Sequence, residues 1–459
     1  MLKTDVLIIG SSAGGLVAAM TAKKMNPEKT VTVITANEKT LVPCGIPYVF
    51  GSVGSTDKNL IPVADNFAKM GIEFIVDEAI EILRDEKKVL LKKNKEISFD
   101  KLVLATGSLP HVPAWLKGNH FSNVYSVPKN KIYLDDMQKK IGSAKKLVII
   151  GAGFIGVELS DELRKAGKEI VLLERLPNVL GLAFDQDISA QVEVILKAHG
   201  VQLHTGVTVK EITGTDKADG VLLEDGTRIS ADAVILAVGY KPNSDLAKKA
   251  HLDVNNAGFT RVDEYMRTSH PDIFAVGDCA EKRHFITGKS IPVMLASIAC
   301  AEARLAGLNL FGITVVKTFS GTISIFGTAF GNTGFGVAGI TEQEAKQIGI
   351  KYFTGEFEGV DRHPGCIADA SKQYVKFIVA EDTGIILGGE VVGGLSTGEM
   401  INSIGMMIQN RMNVSSLITA QVGSHPLMTA SPAALPLLKA AEMAVFKMMN
   451  KCDKKLKKF

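Results

Sequence analysis

The chain has 459 residues, room for about three domains, and its 46% apolar and 22% charged residues suffice for several packed cores. A net charge of +3, from 52 basic and 49 acidic residues, leaves no electrostatic footprint for nucleic acid. No apolar run reaches the roughly 18 residues needed to cross a bilayer, and Met1 to Asp5 lead into an apolar strand without the regions of a secretory leader. The expectation is a cytoplasmic protein with no membrane insertion. Two features remain to be explained. There are 44 glycines, above the usual share of about 7%. There are also five widely spaced cysteines (Cys44, Cys279, Cys300, Cys366, Cys452) with no C-x-x-C pair, so neither a disulfide framework nor a metal site is expected.

In chain order, Val6 to Ile9 read as a buried parallel strand. A small-residue loop, Gly10 to Gly15, leads into a helix over Leu16 to Met25, and Val31 to Ile34 form the next strand. This βαβ pattern recurs 141 residues on, with strand Leu147 to Ile150, loop Gly151 to Gly156, a helix to about Ala166 and strand Ile170 to Leu173. Three further apolar strands end in glycine: Leu102 to Gly107, Ala233 to Gly239, and Ile273 to Gly277, which Asp278 follows. From about Lys317 the texture becomes α+β, and the lysine-rich tail Lys451 to Phe459 reads as a frayed, solvated end.

The second loop is an intact G-x-G-x-x-G. Gly151 permits the tight turn, Gly153 lets backbone approach a pyrophosphate, and Gly156 lets helix pack on strand. A diphosphate then sits at the helix N-terminus, where free N–H groups and the dipole favour anions. Glu174 closes the following strand, placed to accept ribose hydroxyls and repel a 2′-phosphate, which favours NADH over NADPH. Arg175 beside it softens that preference. The first loop departs from the pattern: Ser12 replaces the second glycine and Thr35 the strand-end acid, with Glu38 as the candidate substitute.

With these loops in place, other segments become recognisable. Leu104-Ala105-Thr106-Gly107-Ser108, Gly239-Tyr240-Lys241-Pro242-Asn243 and Ala275-Val276-Gly277-Asp278 resemble, in order, the ATG, G-x-x-P-N and flavin-aspartate segments of two-dinucleotide flavoproteins. The whole chain resembles the pyridine nucleotide-disulfide oxidoreductase family. Thr40 to Tyr48, with Cys44 followed by Gly45 and Pro47, resembles the S-F-x-x-C-G-x-P-Y segment of its single-cysteine branch. That branch holds coenzyme A-disulfide reductases, NADH oxidases, NADH peroxidases and NADH-dependent polysulfide reductases. Val49 stands where the two-cysteine branch carries its second thiol.

The resemblance implies an α/β fold with two Rossmann-like dinucleotide-binding domains, for FAD and NAD, plus a C-terminal α+β dimerisation domain. Its implied boundaries are 1–113 and 242–316 for FAD, 114–241 for NAD(P)H, 317–450 for the interface and 451–459 for the basic tail. FAD contacts are implied for Gly10, Ser12, Ala13, Gly14, Gly15, Glu38, Ala79, Thr106, Gly107, Gly277 and Asp278. NADH contacts, with NADPH as the other candidate donor, are implied for Gly151, Gly153, Phe154, Ile155, Gly156, Glu158, Glu174 and Gly239. The expected assembly is a homodimer whose subunits share the active site.

Cys44 lies where a helix could begin, and a helix N-terminus stabilises a thiolate. With no neighbouring cysteine it must pair with an external sulfur or oxidise to a sulfenic acid. The implied reaction is NAD(P)H-dependent reduction of a low-molecular-weight disulfide, persulfide or polysulfide. The alternatives are an NADH oxidase and an electron-transfer reductase for a protein carrier. Ala13 replaces the histidine of the branch's peroxidases and oxidases, which disfavours a peroxidase. His363 to Cys366 and Gly423 to Leu427 stand where coenzyme A-disulfide reductases bring tyrosines, and neither stretch has one. His425-Pro426 instead resembles the His-Pro acid/base of two-cysteine reductases, and His363 and Cys366 are weaker candidates. Cys279 and Cys300 read as core, and Met400, Met406, Met407 and Met412 as interface packing.

Overall fold

The computed structural model describes residues 2–62 and 67–456, with side chains as far as Lys451; the Cys452 side chain and the end of the basic tail lie outside the described residues. The chain divides into two compact units, Met1–Arg175 with His199–Thr322, and Leu176–Ala198 with Ile323–Phe459.

Two Rossmann-like sheets organise the first unit. In one, β1 (Leu2–Ile9) runs parallel to both β2 (Val31–Thr35) and β6 (Glu96–Leu104), with Val6 opposite Val31 and Lys101. β3 (Ile72–Val76) and β17 (Ile273–Ala275) pair in parallel with β2 and β6, while β5 (Lys88–Leu91) and β4 (Ala79–Leu83) add antiparallel. Val6 and Ile8 enter one core and Leu7 and Ile9 another, which is why the strand is apolar throughout. The first core takes α1 (Ala13–Met25) and α6 (Ala296–Asn309), joined through Ala18, Ala22, Ala303 and Ala306. The opposite core takes Ala247 of α5 (Asp245–Lys249).

The second sheet has the order β11 (Gln202–His204), β10 (Glu169–Leu173), β9 (Lys146–Ile150), β15 (Ala233–Leu236), β8 (Val124–Ser126), all parallel. It is accompanied by α2 (Lys131–Gly142), α3 (Phe154–Lys165) and a meander of β12 (Val209–Gly214), β13 (Ala218–Leu223) and β14 (Arg228–Ser230). The short β7 (Ser108–Pro110) and β16 (Tyr240–Pro242) pair antiparallel, as do β18 (Lys282–Arg283) and β19 (Ser290–Ile291).

The second unit is an antiparallel sheet in the order β20 (Ile325–Phe330), β21 (Thr333–Gly339), β24 (Ile386–Gly393), β23 (Lys372–Ala380), β22 (Tyr352–Val360). With it come α4 (Gln186–Ala198), α7 (Glu342–Ile348), α8 (Thr397–Gln409), α9 (Val414–Ile418) and α10 (Pro436–Leu456). Glycines of β21 that the sequence leaves without a role let α8 lie close on the sheet: a Cβ at Gly336 would sit 3.0 Å from the Ile401 Cβ. α10 continues into the tail expected to fray, consistent with the helix propensity of lysine.

Residues 176–198 lie inside the stretch expected to bind NAD(P)H, yet they cluster with the second unit. The reason is a buried charge cluster. The Lys376 ammonium on β23 lies 2.9 Å from Asp185, 3.4 Å from Glu342, 3.5 Å from Glu390 and 3.6 Å from Asp187. Asp185 also accepts the N–H groups of Glu342 and Gln343, and its own N–H donates to Glu390 at 2.8 Å. Burial, with the Asp185 carboxylate alongside, pushes the Glu390 carboxyl up to about 8. Among the described residues no helix is long and apolar enough to cross a membrane.

Candidate active site

The two phosphate loops share one construction. Gly10 and Gly151 end their strands at φ +113° and +102°, a conformation that glycine adopts without strain. A Cβ on Gly15 would lie 1.8 Å from the Gly10 carbonyl oxygen, and one on Gly156 1.8 Å from that of Gly151. Helix can approach strand so closely only without those side chains. Ser12 and Gly153 are the N-cap residues of α1 and α3, both extended, and neither contributes a side-chain cap. A helix N-terminus favours an anion, and α1 and α3 each begin at one of these loops.

The strand ends differ. The Ser11 hydroxyl lies 2.7 Å from that of Thr35 and 2.9 Å from that of Thr40, a neutral chain. Glu174 instead accepts the Ala152 N–H at 2.6 Å, so a carboxylate braces the second loop. Glu38 is exposed beyond β2, and Ala79 is half-buried at the start of β4. Among the described residues, nothing lies within 4 Å of where a Cβ would project from Gly107, Gly153 or Gly239, so bare backbone is offered at all three.

The other motifs converge through β7 and β16. Asn243 donates its N–H to the Gly107 carbonyl at 2.9 Å, and the Thr106 hydroxyl donates to the Asn243 carbonyl. Asp278 sits in the turn after β17, where it accepts from Ser108 Oγ and Lys129 Nζ, each at 2.7 Å. Burial would raise its carboxyl, but the Lys129 ammonium and these hydrogen bonds prevail and hold it below the usual carboxylate range. Beneath it, Glu302 accepts the Gly277 N–H at 2.8 Å, while buried Lys282 donates to the Gly277 and Ala280 carbonyls and pairs with Glu302 at 3.2 Å. Sequence reading missed Ser108, Lys129, Lys282 and Glu302. Only Glu302, an acid within an alanine-rich helix, carried a signal. The bare loops, helix ends and held carboxylate fit two dinucleotides.

Cys44 lies in a single 3₁₀ turn, Pro43–Gly45, followed by a second, Pro47–Phe50. The expected α-helix does not form there, because Pro47 opens a new turn that stops at Gly51. Asn59 braces the turn: its Nδ2 donates to the Val42 carbonyl at 3.0 Å, and its Oδ1 fills the space a Cβ on Gly45 would need. The thiol is exposed. Atoms packed around its sulfur nonetheless strip part of its water, and this loss leads in pushing the thiol above its ordinary value; the Glu158 carboxylate adds, and the Lys129 ammonium opposes both. With only a 3₁₀ turn at Cys44, the helix N-terminus expected to favour its thiolate does not form there.

Cys279 is fully buried, as expected, but Cys300 is only partly so, which corrects its reading as core. In the second unit the loops around His363 and His425 meet. The His363 N–H donates to the Pro426 carbonyl at 3.3 Å, and His363 Nδ1 lies 2.9 Å from the Thr429 carbonyl. His425 is exposed, and its Nδ1 accepts the Leu427 N–H at 3.3 Å, so neutral His425 carries its proton on Nε2. Cys366 is exposed in the same loop cluster.

Residues 4–303 match the family described as pyridine nucleotide-disulphide oxidoreductase, and residues 325–435 match its dimerisation domain. A protein of Methanocaldococcus jannaschii named NADH oxidase is 30% identical, over 97% of this chain and 99% of its own. The NAD(P)H coenzyme A polysulfide/persulfide reductase of Pyrococcus horikoshii is 32% identical, over 85% and 88%. The solved NAD-dependent persulfide reductase of A. fulgidus superposes with a TM-score of 0.89 at 30% identity, covering 98% of this chain and 84% of that one. The chain therefore belongs to the pyridine nucleotide-disulphide oxidoreductases, enzymes that use FAD and NAD(P)H.

Proposed function

We propose that this enzyme is a cytoplasmic homodimer that reduces a low-molecular-weight disulfide, persulfide or polysulfide through Cys44. In this reading residues 1–113 and 242–316 hold FAD and residues within 114–241 hold NAD(P)H. The observation that carries the reading is the exposed Cys44 thiol, fixed in its turn by Asn59. The persulfide reductases among the relatives add support.

The N–H groups of α1 and α3 bind the two diphosphates, and Asp278, held by Ser108 and Lys129, takes polar groups between flavin and diphosphate. Bound FAD supplies the relay that returns two electrons from NAD(P)H to sulfur. The Cys44 thiolate attacks one sulfur of R–S–S–R′, forming a Cys44–S–S–R bond and releasing R′S⁻. His425 of the partner subunit, in its imidazolium form, protonates that leaving thiolate and becomes the neutral imidazole. Two electrons then split the mixed disulfide, so that RSSR′, NADH and one proton become RSH, R′SH and NAD⁺. The Lys129 ammonium is the neighbouring charge that favours the thiolate against burial and Glu158.

The test is anaerobic NADH oxidation with coenzyme A disulfide, coenzyme A persulfide, polysulfide or glutathione disulfide, and oxygen as a separate arm. Cys44→Ser should abolish sulfur reduction and leave flavin reduction by NADH intact. Full disulfide turnover in that variant, or electron acceptance by oxygen alone, overturns the reading. A second reading, an NADH oxidase, draws on the Methanocaldococcus relative; Ala13 weighs against it because it brings no proton to oxygen.

A further inference from the structure

The Cys44 turn does not end at Gly45. It runs into Pro47–Phe50, whose Val49 and Phe50 are buried, and then across the side of α3. There Ser52 donates twice to one carboxylate oxygen: its N–H lies 2.5 Å and its hydroxyl 2.6 Å from Glu162 Oε2. Glu162 is 1% exposed, and its other oxygen takes the Lys165 ammonium at 2.7 Å. A Cβ on Gly51 would come within 2.5 Å of both Glu162 Oε2 and the Glu162 carbonyl oxygen, so the backbone is pressed onto the helix. The neighbouring Asp161 is held by Lys165 at 2.7 Å and by His199 Nδ1 at 2.6 Å. On the other flank, Gln138 of α2 donates to the Val49 and Gly54 carbonyls at 2.9 and 3.0 Å.

Buried charge is an expensive way to join two segments, and an apolar contact would hold them as firmly. What a carboxylate with two convergent donors adds is direction, since each bond tolerates little misalignment. The helix clamped here is the one whose first turn faces the nucleotide loop Gly151–Gly156. The segment that follows Cys44 and the loop Gly151–Gly156 are thus both joined to one helix, α3.

We propose that Glu162 is a positioning residue that sets the Cys44 turn against α3, so that a dinucleotide at the α3 N-terminus changes the reactivity of the Cys44 thiol. This rests on the reading that Gly151–Gly156 takes NAD(P)H and that Cys44 is the redox thiol. NAD⁺ is the suitable probe because it fills the loop without delivering electrons.

The experiment is alkylation of Cys44 by iodoacetamide in the FAD-loaded enzyme, read by peptide mass spectrometry, with and without saturating NAD⁺. In the unaltered enzyme NAD⁺ should change the rate by about 5-fold or more, the lower range of inter-site coupling. In Glu162→Ala that ratio should fall toward one while NAD⁺ still binds by calorimetric titration. Glu162→Gln, which keeps an acceptor for Ser52, should restore most of it. Direct shielding of Cys44 by the nucleotide would survive Glu162→Ala unchanged, and that result overturns the proposal, as does an unaltered enzyme indifferent to NAD⁺. Should Glu162→Ala fail to retain FAD, Ser52→Ala, which removes only the hydroxyl bond, must reduce the ratio or the proposal fails. The readout needs no turnover, so a failure of Cys44 as redox centre would show separately, in the Cys44→Ser assay.

Discussion

The two phosphate loops are nearly superimposable in construction and unlike in charge. Both turn on a left-handed glycine, and both press a third-position glycine onto that residue's carbonyl at the same 1.8 Å. The first strand end is a hydroxyl chain through Ser11, Thr35 and Thr40, whereas the second is a carboxylate, Glu174, bonded to the Ala152 N–H. In the proposed reading, glycine spacing sets how closely a diphosphate can approach, and the strand end sets which ribose is tolerated beside it. Ser12 takes the same extended conformation as Gly153, so the backbone at this position does not require glycine.

The largest effects should come from the shared feature. A Cβ at 1.8 Å from backbone oxygen cannot be absorbed by a side-chain shift, and overpacking of this kind costs about 1–3 kcal/mol or more. Gly15→Ala should purify with little flavin, read from its visible absorbance. Gly156→Ala should keep its flavin but lose about 100-fold in kcat/KM for NADH, equivalent to roughly 2.7 kcal/mol. The reverse pattern would exchange the roles of the loops.

Glu174→Thr gives the second strand end the first one's neutrality. Loss of a charged hydrogen bond of about 1.5–3 kcal/mol should raise KM for NADH about tenfold or more. KM for NADPH should change little, so steady-state kinetics with both donors should show the preference narrowing. An unchanged NADH to NADPH ratio would break the electrostatic half of the comparison.

Ser11→Ala removes the neutral chain and should cost about 1 kcal/mol, lowering Tm by about 2–4 °C in a thermal scan. Ser12→Gly should matter least. Its hydroxyl makes no cap bond, and glycine at an N-cap costs a few tenths of a kcal/mol, so FAD retention should stay within about twofold.

The second loop was fully legible because strand, glycines, helix and acid are local in sequence. Cys44 was legible as a lone thiol, but its electrostatics were not. Pro47 signals a helix start in sequence, and only the structure places Gly51 to end the turn and Glu158 beside the thiol. Lys129 and Glu162 were invisible for one reason: their partners Asp278 and Ser52 lie 149 and 110 residues away. Nor does the amphipathic pattern of α4 say on which sheet its apolar side packs. His425 became a candidate through the resemblance rather than through any local spacing.

That last helix has a consequence for synthesis. Asp185 and its partner Glu390 are separated by 205 residues. At about 5–20 residues per second on the ribosome, the segment around Asp185 emerges roughly 10–40 s before the strand that completes its charge cluster. Until its sheet arrives, the segment 176–198 has no partner for its buried face, and its three acids Asp185, Asp187 and Glu193 favour its staying hydrated. A C-terminal fragment beginning at Ile323 would meet the converse problem, a buried Lys376 deprived of Asp185 and Asp187.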